Sequence, residues 1–285
     1  MKIAYDDKLR LNNRNKARLS EINQILEDYR RQGYRLTLRQ LYYQLVSKNI
    51  IPNEDGEYKK LSNILKKGRL AGIVDWDSIE DRIRKPMLPY YVGGTQEAID
   101  DTIKQYRLDR MEGQEQRIEV WVEKDALSNV LGRVTRKYHV RLMVNRGYSS
   151  ITAMHDAAER LNSADVILYF GDHDPSGLDM LRDIEKRLQM FGVYPDIIPV
   201  ALTMPQIKKF NPPPNPAKIK DPRYEWYLER FGPTSWELDA LPPEELNRLV
   251  EKAITSRIDL SLYNDMLNRE KEDIKTLKSY YDEEE

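Results

Sequence analysis

The chain has 285 residues, a net charge of −1, 33% charged residues and no cysteine. The missing thiol excludes disulfides, a cysteine nucleophile and cysteine-ligated zinc. No apolar run approaches the roughly 20 residues of a helical membrane span, and Met1-Lys-Ile-Ala-Tyr-Asp-Asp7 lacks an apolar signal stretch. A cytoplasmic protein is expected, nucleoid-associated in a bacterium or archaeon and with no membrane partner.

The charge is unevenly placed. Residues 1–90 hold 19 Lys/Arg against 12 Asp/Glu, and the remainder holds 27 against 35. A basic first third suits a polyanion, while an acidic remainder repels DNA unless cations are bound. Two ordinary solvated faces account for the charge equally well.

In chain order, Asn15 to Gln32 reads as a helix with Leu19, Ile22, Ile25 and Leu26 on one stripe, ended by Gly33. Thr37 caps a second helix through about Lys48. Tyr58 to Leu70 forms a third, bearing Lys59, Lys66, Lys67 and Arg69, and 72–76 reads as a short strand. Three helices and a strand suggest a winged helix-turn-helix over 1–90, with the third helix on DNA phosphates. A plain three-helix bundle is the alternative. Residues 91–116 read as a linker, preceded by Pro86 and Pro89 and holding a helix near 97–107.

From 117 strands and helices alternate. Strands are expected at 118–122, 140–144, 165–170 and 196–201, with helices at 126–138, 150–161 and 177–191. This is the pattern of an α/β fold, a parallel sheet covered on both faces, whose ligands gather at the carboxyl ends of the strands. Proline-rich 205–222 reads as an extended loop, followed by helices near 243–256 and 259–280.

Three carboxylates fall at strand ends: Glu123 after the first, Asp172 and Asp174 after the third. Adjacent strands lie about 4.8 Å apart, so these side chains can converge, and carboxylates packed together repel unless a cation intervenes. Hard oxygen donors suit Mg²⁺, with Mn²⁺ as a substitute. Helix capping is the plain reading of an Asp-x-Asp. Asp125 suits a helix cap, His173 is a poor Mg²⁺ ligand, and His139 and His155 read as structural.

On the second helix, Leu38, Leu41, Tyr42 and Leu45 share one stripe at ~100° per residue. Tyr43 falls off it, beside Arg39, and is expected to be exposed with Arg39 favouring its phenolate. Tyr43 is also one of 18 tyrosines, and spacing alone does not single it out.

Val122-Glu123-Lys124 and Asp172-His-Asp-Pro-Ser-Gly177 resemble the two acidic motifs of a Toprim domain, over roughly 117–205. With Arg39-x-x-Tyr42-Tyr43 ahead of it, the chain resembles the topoisomerase VI A subunit and the meiotic double-strand-break transesterase. Asn145-Arg-Gly-Tyr148 and Glu237-Leu-Asp-Ala-Leu241 echo two further stretches of that family. The resemblance implies a Toprim-like domain with a C-terminal helical extension over 117–285. It implies Mg²⁺ held by Glu123, Asp172 and Asp174, and Tyr43 as nucleophile with Arg39 beside it. Double-stranded DNA would be cut by a homodimer, each tyrosine working with the partner's metal site. Arg146 and Tyr148 become candidate DNA contacts. No phosphate-loop motif is present, so a separate ATPase subunit is the partner expected for strand passage. A Toprim nuclease using metal-activated water, and a non-catalytic DNA-binding module, are the alternatives.

Overall fold

Capping side chains set the helix starts in the first third. Asn12 accepts the Asn15 amide and opens α1 (Asn13–Arg31). Thr37 and Gln40 exchange side-chain and backbone bonds at the head of α2 (Leu38–Ser47), a capping box. The third helix, α3 (Asp55–Leu70), follows. Leu19, Ile22, Leu26, Leu41, Leu45, Leu61 and Leu65 from these helices form one apolar core. The computed structural model describes residues 2–6, 9–80 and 89–282. Pro86 and the last three acidic residues lie outside the described residues.

The strand expected at 72–76 does not form. Gly72 turns the chain with φ +69°, the Gly68 carbonyl accepts the amides of Ile73 and Val74, and Asp75 caps a 3-10 turn at Trp76–Ser78. These backbone groups are satisfied at the end of α3, which leaves none for a ladder. Ala71 and Ile79 make only isolated bridges, to Ala4 and Leu36.

Beyond α4 (Thr95–Gln105), four parallel strands appear in the expected places: β1 (Ile118–Val122), β2 (Arg141–Val144), β3 (Val166–Phe170) and β4 (Asp196–Ala201), in the order β2-β1-β3-β4. Their crossovers are α5 (Ser128–Tyr138), α6 (Ile151–Arg160) and α7 (Pro175–Met190). β1 and β3 are buried along their whole length, as central parallel strands are.

Residues 205–222 are not wholly extended. Thr203 and Gln206 form a second capping box that starts α8 (Met204–Phe210). Pro205 fits in the first turn, where an amide has no helical partner. A two-stranded ribbon of β5 (Asn215–Pro216) and β6 (Thr234–Ser235) brackets α9 (Tyr224–Phe231), a helix the sequence reading missed. Then come α10 (Pro243–Thr255) and α11 (Leu260–Asp282).

Side-chain alternation splits the sheet between two cores. Val120, Val122, Leu168 and Phe170 pack with Val130, Val134, Leu246 and Val250 of α5 and α10. Trp121, Ile167 and Tyr169 pack with Met154, Ala157, Ile184 and Leu188 of α6 and α7. Ala240 belongs to the core of the first three helices, so the segment after β6 joins the helical unit to the sheet. No described helix is long and apolar enough to cross a membrane.

Candidate functional site

The carboxyl ends of β1 and β3 bring Glu123 and Asp172 together. The Glu123 amide continues the ladder to the Phe170 carbonyl at 2.9 Å, and its Oε2 accepts the Asp172 amide at 2.9 Å. Asp172 Oδ1 accepts the Leu238 amide at 2.8 Å, and Oδ2 lies 2.6 Å from Lys124 Nζ. Asp174 caps α7: its Oδ1 accepts the Gly177 amide at 2.6 Å, while Oδ2 lies 3.7 Å from Lys218 Nζ. Gly177 permits this turn, because a Cβ there would sit 2.4 Å from the Asp172 carbonyl oxygen. One oxygen of Asp174 is thus committed to the helix cap, and the other faces Lys218.

Two further acids join them. Lys124 is ion-paired with Glu237 and lies 3.4 Å from Asp239. Arg39 reaches across from α2 to both, at 2.5 Å from Glu237 and 2.7 Å from Asp239. Sequence reasoning noted the Glu237 stretch only as an echo of a family and gave Lys124 no role. The signal was there: Glu-x-Asp at 237–239 repeats the alternating acids of 172–174.

Five carboxylates meet three cations, Lys124, Arg39 and the more exposed Lys218, and the titration shifts follow. Burial pushes Glu123 and Asp172 up, well up for Asp172, against the pull of Lys124. Burial also raises Glu237, but Lys124 and Arg39 pull harder and bring it down to about 2. Burial opposes the Lys124 charge, yet Asp239, Asp172 and Glu237 together raise its pKa.

No family model matches the chain, and no curated protein matches it.

Hard oxygens with more negative than positive charge fit a divalent cation. The Tyr169 hydroxyl, buried without a hydrogen-bond partner among the described residues and in the electrostatic field of Glu123, Asp172 and Asp174, adds an orphaned polar atom that the waters of a hydrated ion would satisfy. Among the described residues, however, only exposed His155, Asp156 and Glu159 bring three ligand atoms all within 4.8 Å of one another. Glu123, Asp172 and Asp174 stand more openly, with Lys124 inserted on Asp172.

Tyr43 is not exposed. At 5% accessibility it is as buried as Tyr42 at 6%, because the β5 segment and the 237–240 turn cover the face of α2 that helical spacing assigned to solvent. Its hydroxyl is 3.5 Å from Asn215 Nδ2, and Arg39 lies 5.8 Å from its ring. Arg39 does not favour the phenolate overall: burial, then Glu237 and Asp239, raise the Tyr43 pKa above its ordinary value despite Arg39. Tyr43, Asp174, Glu237, Lys59, Lys218 and Lys220 nevertheless line one cleft of about 1260 Å³.

The remaining candidates separate. Lys59, Lys66 and Lys67 are exposed on α3. Arg69 is not a free cation: it donates to the carbonyls of Trp76 and Ile79 at 2.8 and 3.0 Å and lies over the Trp76 ring. Arg146 adopts φ +55° and pairs with Asp125 at 3.3 Å. It lines a smaller pocket with Arg39, Glu123 and Lys124. Tyr148 donates to Asp179 at 2.6 Å, with Arg223 5.2 Å from its ring. His173, read as a poor Mg²⁺ ligand, is buried with its Nδ1 2.8 Å from the Tyr227 hydroxyl. His139 is half-buried and His155 exposed.

Proposed function

We propose that this chain cleaves double-stranded DNA in a divalent-cation-dependent reaction, as a protein resembling the topoisomerase VI A subunit. The observation that carries the reading is the shared cleft: Tyr43 of the helical unit and Asp174 of the Toprim-like sheet face one space, rimmed by Lys59, Lys218 and Lys220. In this reading the lysines seat the phosphate backbone. The Tyr43 oxygen attacks phosphorus, its proton leaves as the new ester forms, and the DNA hydroxyl departs. Mg²⁺ held by Glu123, Asp172 and Asp174 would supply charge to the scissile phosphate and offset the acidic field around Tyr43. Because Tyr43 and Asp174 line one cleft within a single chain, a homodimer would use one such site per DNA strand. A separate ATPase subunit would be needed only for strand passage. The α1–α3 unit would serve as the DNA-seating module of a winged-helix type.

A second reading rests on the burial of Tyr43 and the upward shift of its pKa. Both favour a Toprim nuclease in which water attacks and Tyr43 only packs. Supercoiled plasmid, incubated with Mg²⁺ or Mn²⁺ and then denatured, separates the two. A covalent protein–DNA adduct lost in Tyr43→Phe supports transesterification, and cleavage surviving in Tyr43→Phe supports hydrolysis. Cleavage undiminished in Asp172→Ala sinks both.

A further inference from the structure

The amino ends of the strands carry a second charged surface, opposite in sign to the first. A groove of about 880 Å³ opens there, and 8 of its 18 lining residues are Arg or Lys while 3 are acidic. The cations come from separate segments: Arg107 and Arg110 before β1, Arg117 at its start, Arg136 at the end of α5, Arg141 on β2, and Arg160 at the end of α6. Helix dipoles explain Arg136 and Arg160, which end helices. They account likewise for Lys137 in the last turn of α5, but not for the other five of the eight.

Part of this set is held in place. Buried Glu119 takes Arg160 at 2.8 Å, with Arg141 3.7 Å away, and also accepts the Trp121 indole N–H. Glu270 holds Arg110 at 2.6 Å, with Arg107 at 3.8 Å. Arg117 and Arg136 are exposed and pair with no carboxylate among the described residues. The result is a fixed basic floor with two free guanidinium groups at its rim, in a chain of net charge −1.

We infer that this groove is a second nucleic-acid contact, which grips the phosphate backbone of duplex DNA away from the acidic cluster. Guanidinium outnumbers ammonium seven to one, and its planar fork matches phosphate oxygens two at a time. The groove and the acidic cluster lie at opposite ends of strands about 17 Å long, so DNA held here is positioned and not cut. The inference stands whether or not the chain cleaves, since binding is read without a metal.

The test is fluorescence anisotropy of a labelled 30-base-pair duplex with the full chain in EDTA, across a salt series. The background is Lys66→Glu/Lys67→Glu, which mutes α3. Arg117→Glu/Arg136→Glu is expected to weaken binding at least tenfold and to reduce the slope of log affinity against log salt by about 2. Arg117→Lys/Arg136→Lys, which keeps the charge and loses the fork, should keep the parent's salt slope and lose less affinity than the reversal variant. If the reversal variant melts early by circular dichroism, Arg117→Gln/Arg136→Gln replaces it, with a threefold loss as the threshold. Smaller losses overturn the inference. So does displacement of the duplex by polyglutamate or tripolyphosphate at equal charge concentration, which would reveal a carboxylate or small-anion site.

Discussion

Lys124 Nζ lies 2.6 Å from Asp172 Oδ2, inside a ring of acids completed by Glu237 and Asp239. A covalently attached cation thus occupies part of the space where the sequence placed a divalent ion. Removing one member of a buried ion-paired set costs about 3–5 kcal/mol, because the partners stay buried and uncompensated. Lys124→Met should therefore lower the unfolding free energy by about 3 kcal/mol in EDTA. A urea midpoint unchanged from wild type would show that the ammonium is not needed for the charge balance.

Opposite titration shifts within this cluster give opposite pH effects. The Glu237 pKa is depressed to about 2. Its contribution is present above the ordinary carboxylate range and is lost as pH falls toward 2. Glu123 and Asp172 are raised, so the folded state takes up their protons more readily and gains stability as pH falls from neutral. Asp172→Asn should reduce the rise in melting temperature on acidification from neutral toward the ordinary carboxylate range, and Glu237→Gln should flatten its fall below that range. The same dependence in all three proteins, measured in EDTA, would contradict this division.

How much of this was legible beforehand depends on which force set each feature. Strand ends and crossovers follow alternation and capping, both local, and Glu123 and Asp172 landed together because β1 and β3 are neighbours. The burial of Tyr43 was not legible. Helical spacing places it off the apolar stripe, and only a segment some 170 residues later, Asn215 with the 237–240 turn, covers it. The missing strand at 72–76 had the same cause in reverse, since Gly68 and Asp75 satisfy its backbone locally. Lys124 and Glu237 went unassigned because their pairing joins positions 113 apart in the chain.

If the acids hold Mg²⁺, the ion must stabilise the folded state. A ligand at 100 times its dissociation constant adds about 2.7 kcal/mol. Wild type should melt at a higher temperature as Mg²⁺ is titrated from zero to 20 mM, and Glu123→Gln/Asp172→Asn should not. A rise retained by that variant would place the ion elsewhere, with His155, Asp156 and Glu159 the group to test next.

Arg69 and its neighbours on α3 should part company. Arg69 satisfies two carbonyls and covers Trp76, and burial lowers its pKa. Arg69→Ala should cost about 1 kcal/mol of stability, the usual net loss for hydrogen bonds that water can partly replace, and leave the salt slope of DNA binding unchanged. Lys66→Glu/Lys67→Glu should do the reverse, reducing that slope by about 2 with little change in melting. Interchanged results would return Arg69 to the DNA-contacting set.

Tyr43 offers the sharpest separation of fold from chemistry. Its only hydroxyl contact among the described residues is Asn215 at 3.5 Å, long enough that little bond energy is at stake. Tyr43→Phe should thus lose under about 1 kcal/mol of stability while abolishing any covalent adduct. Since burial and the neighbouring acids hold the phenol protonated, adduct formation at saturating Mg²⁺ should rise steadily from pH 7 to 9.5. A plateau near pH 7.5 would mean that proton loss from the phenol does not limit the reaction. The cover over Tyr43 is held by Asn53, whose Nδ2 donates to the Pro214 carbonyl and Asn215 Oδ1, both at 2.7 Å. Asn53→Ala should loosen that cover and speed nitration of Tyr43 by tetranitromethane, read by peptide mass. Nitration no faster than in wild type would mean that the segment stays closed without Asn53, held by its pairing with β6.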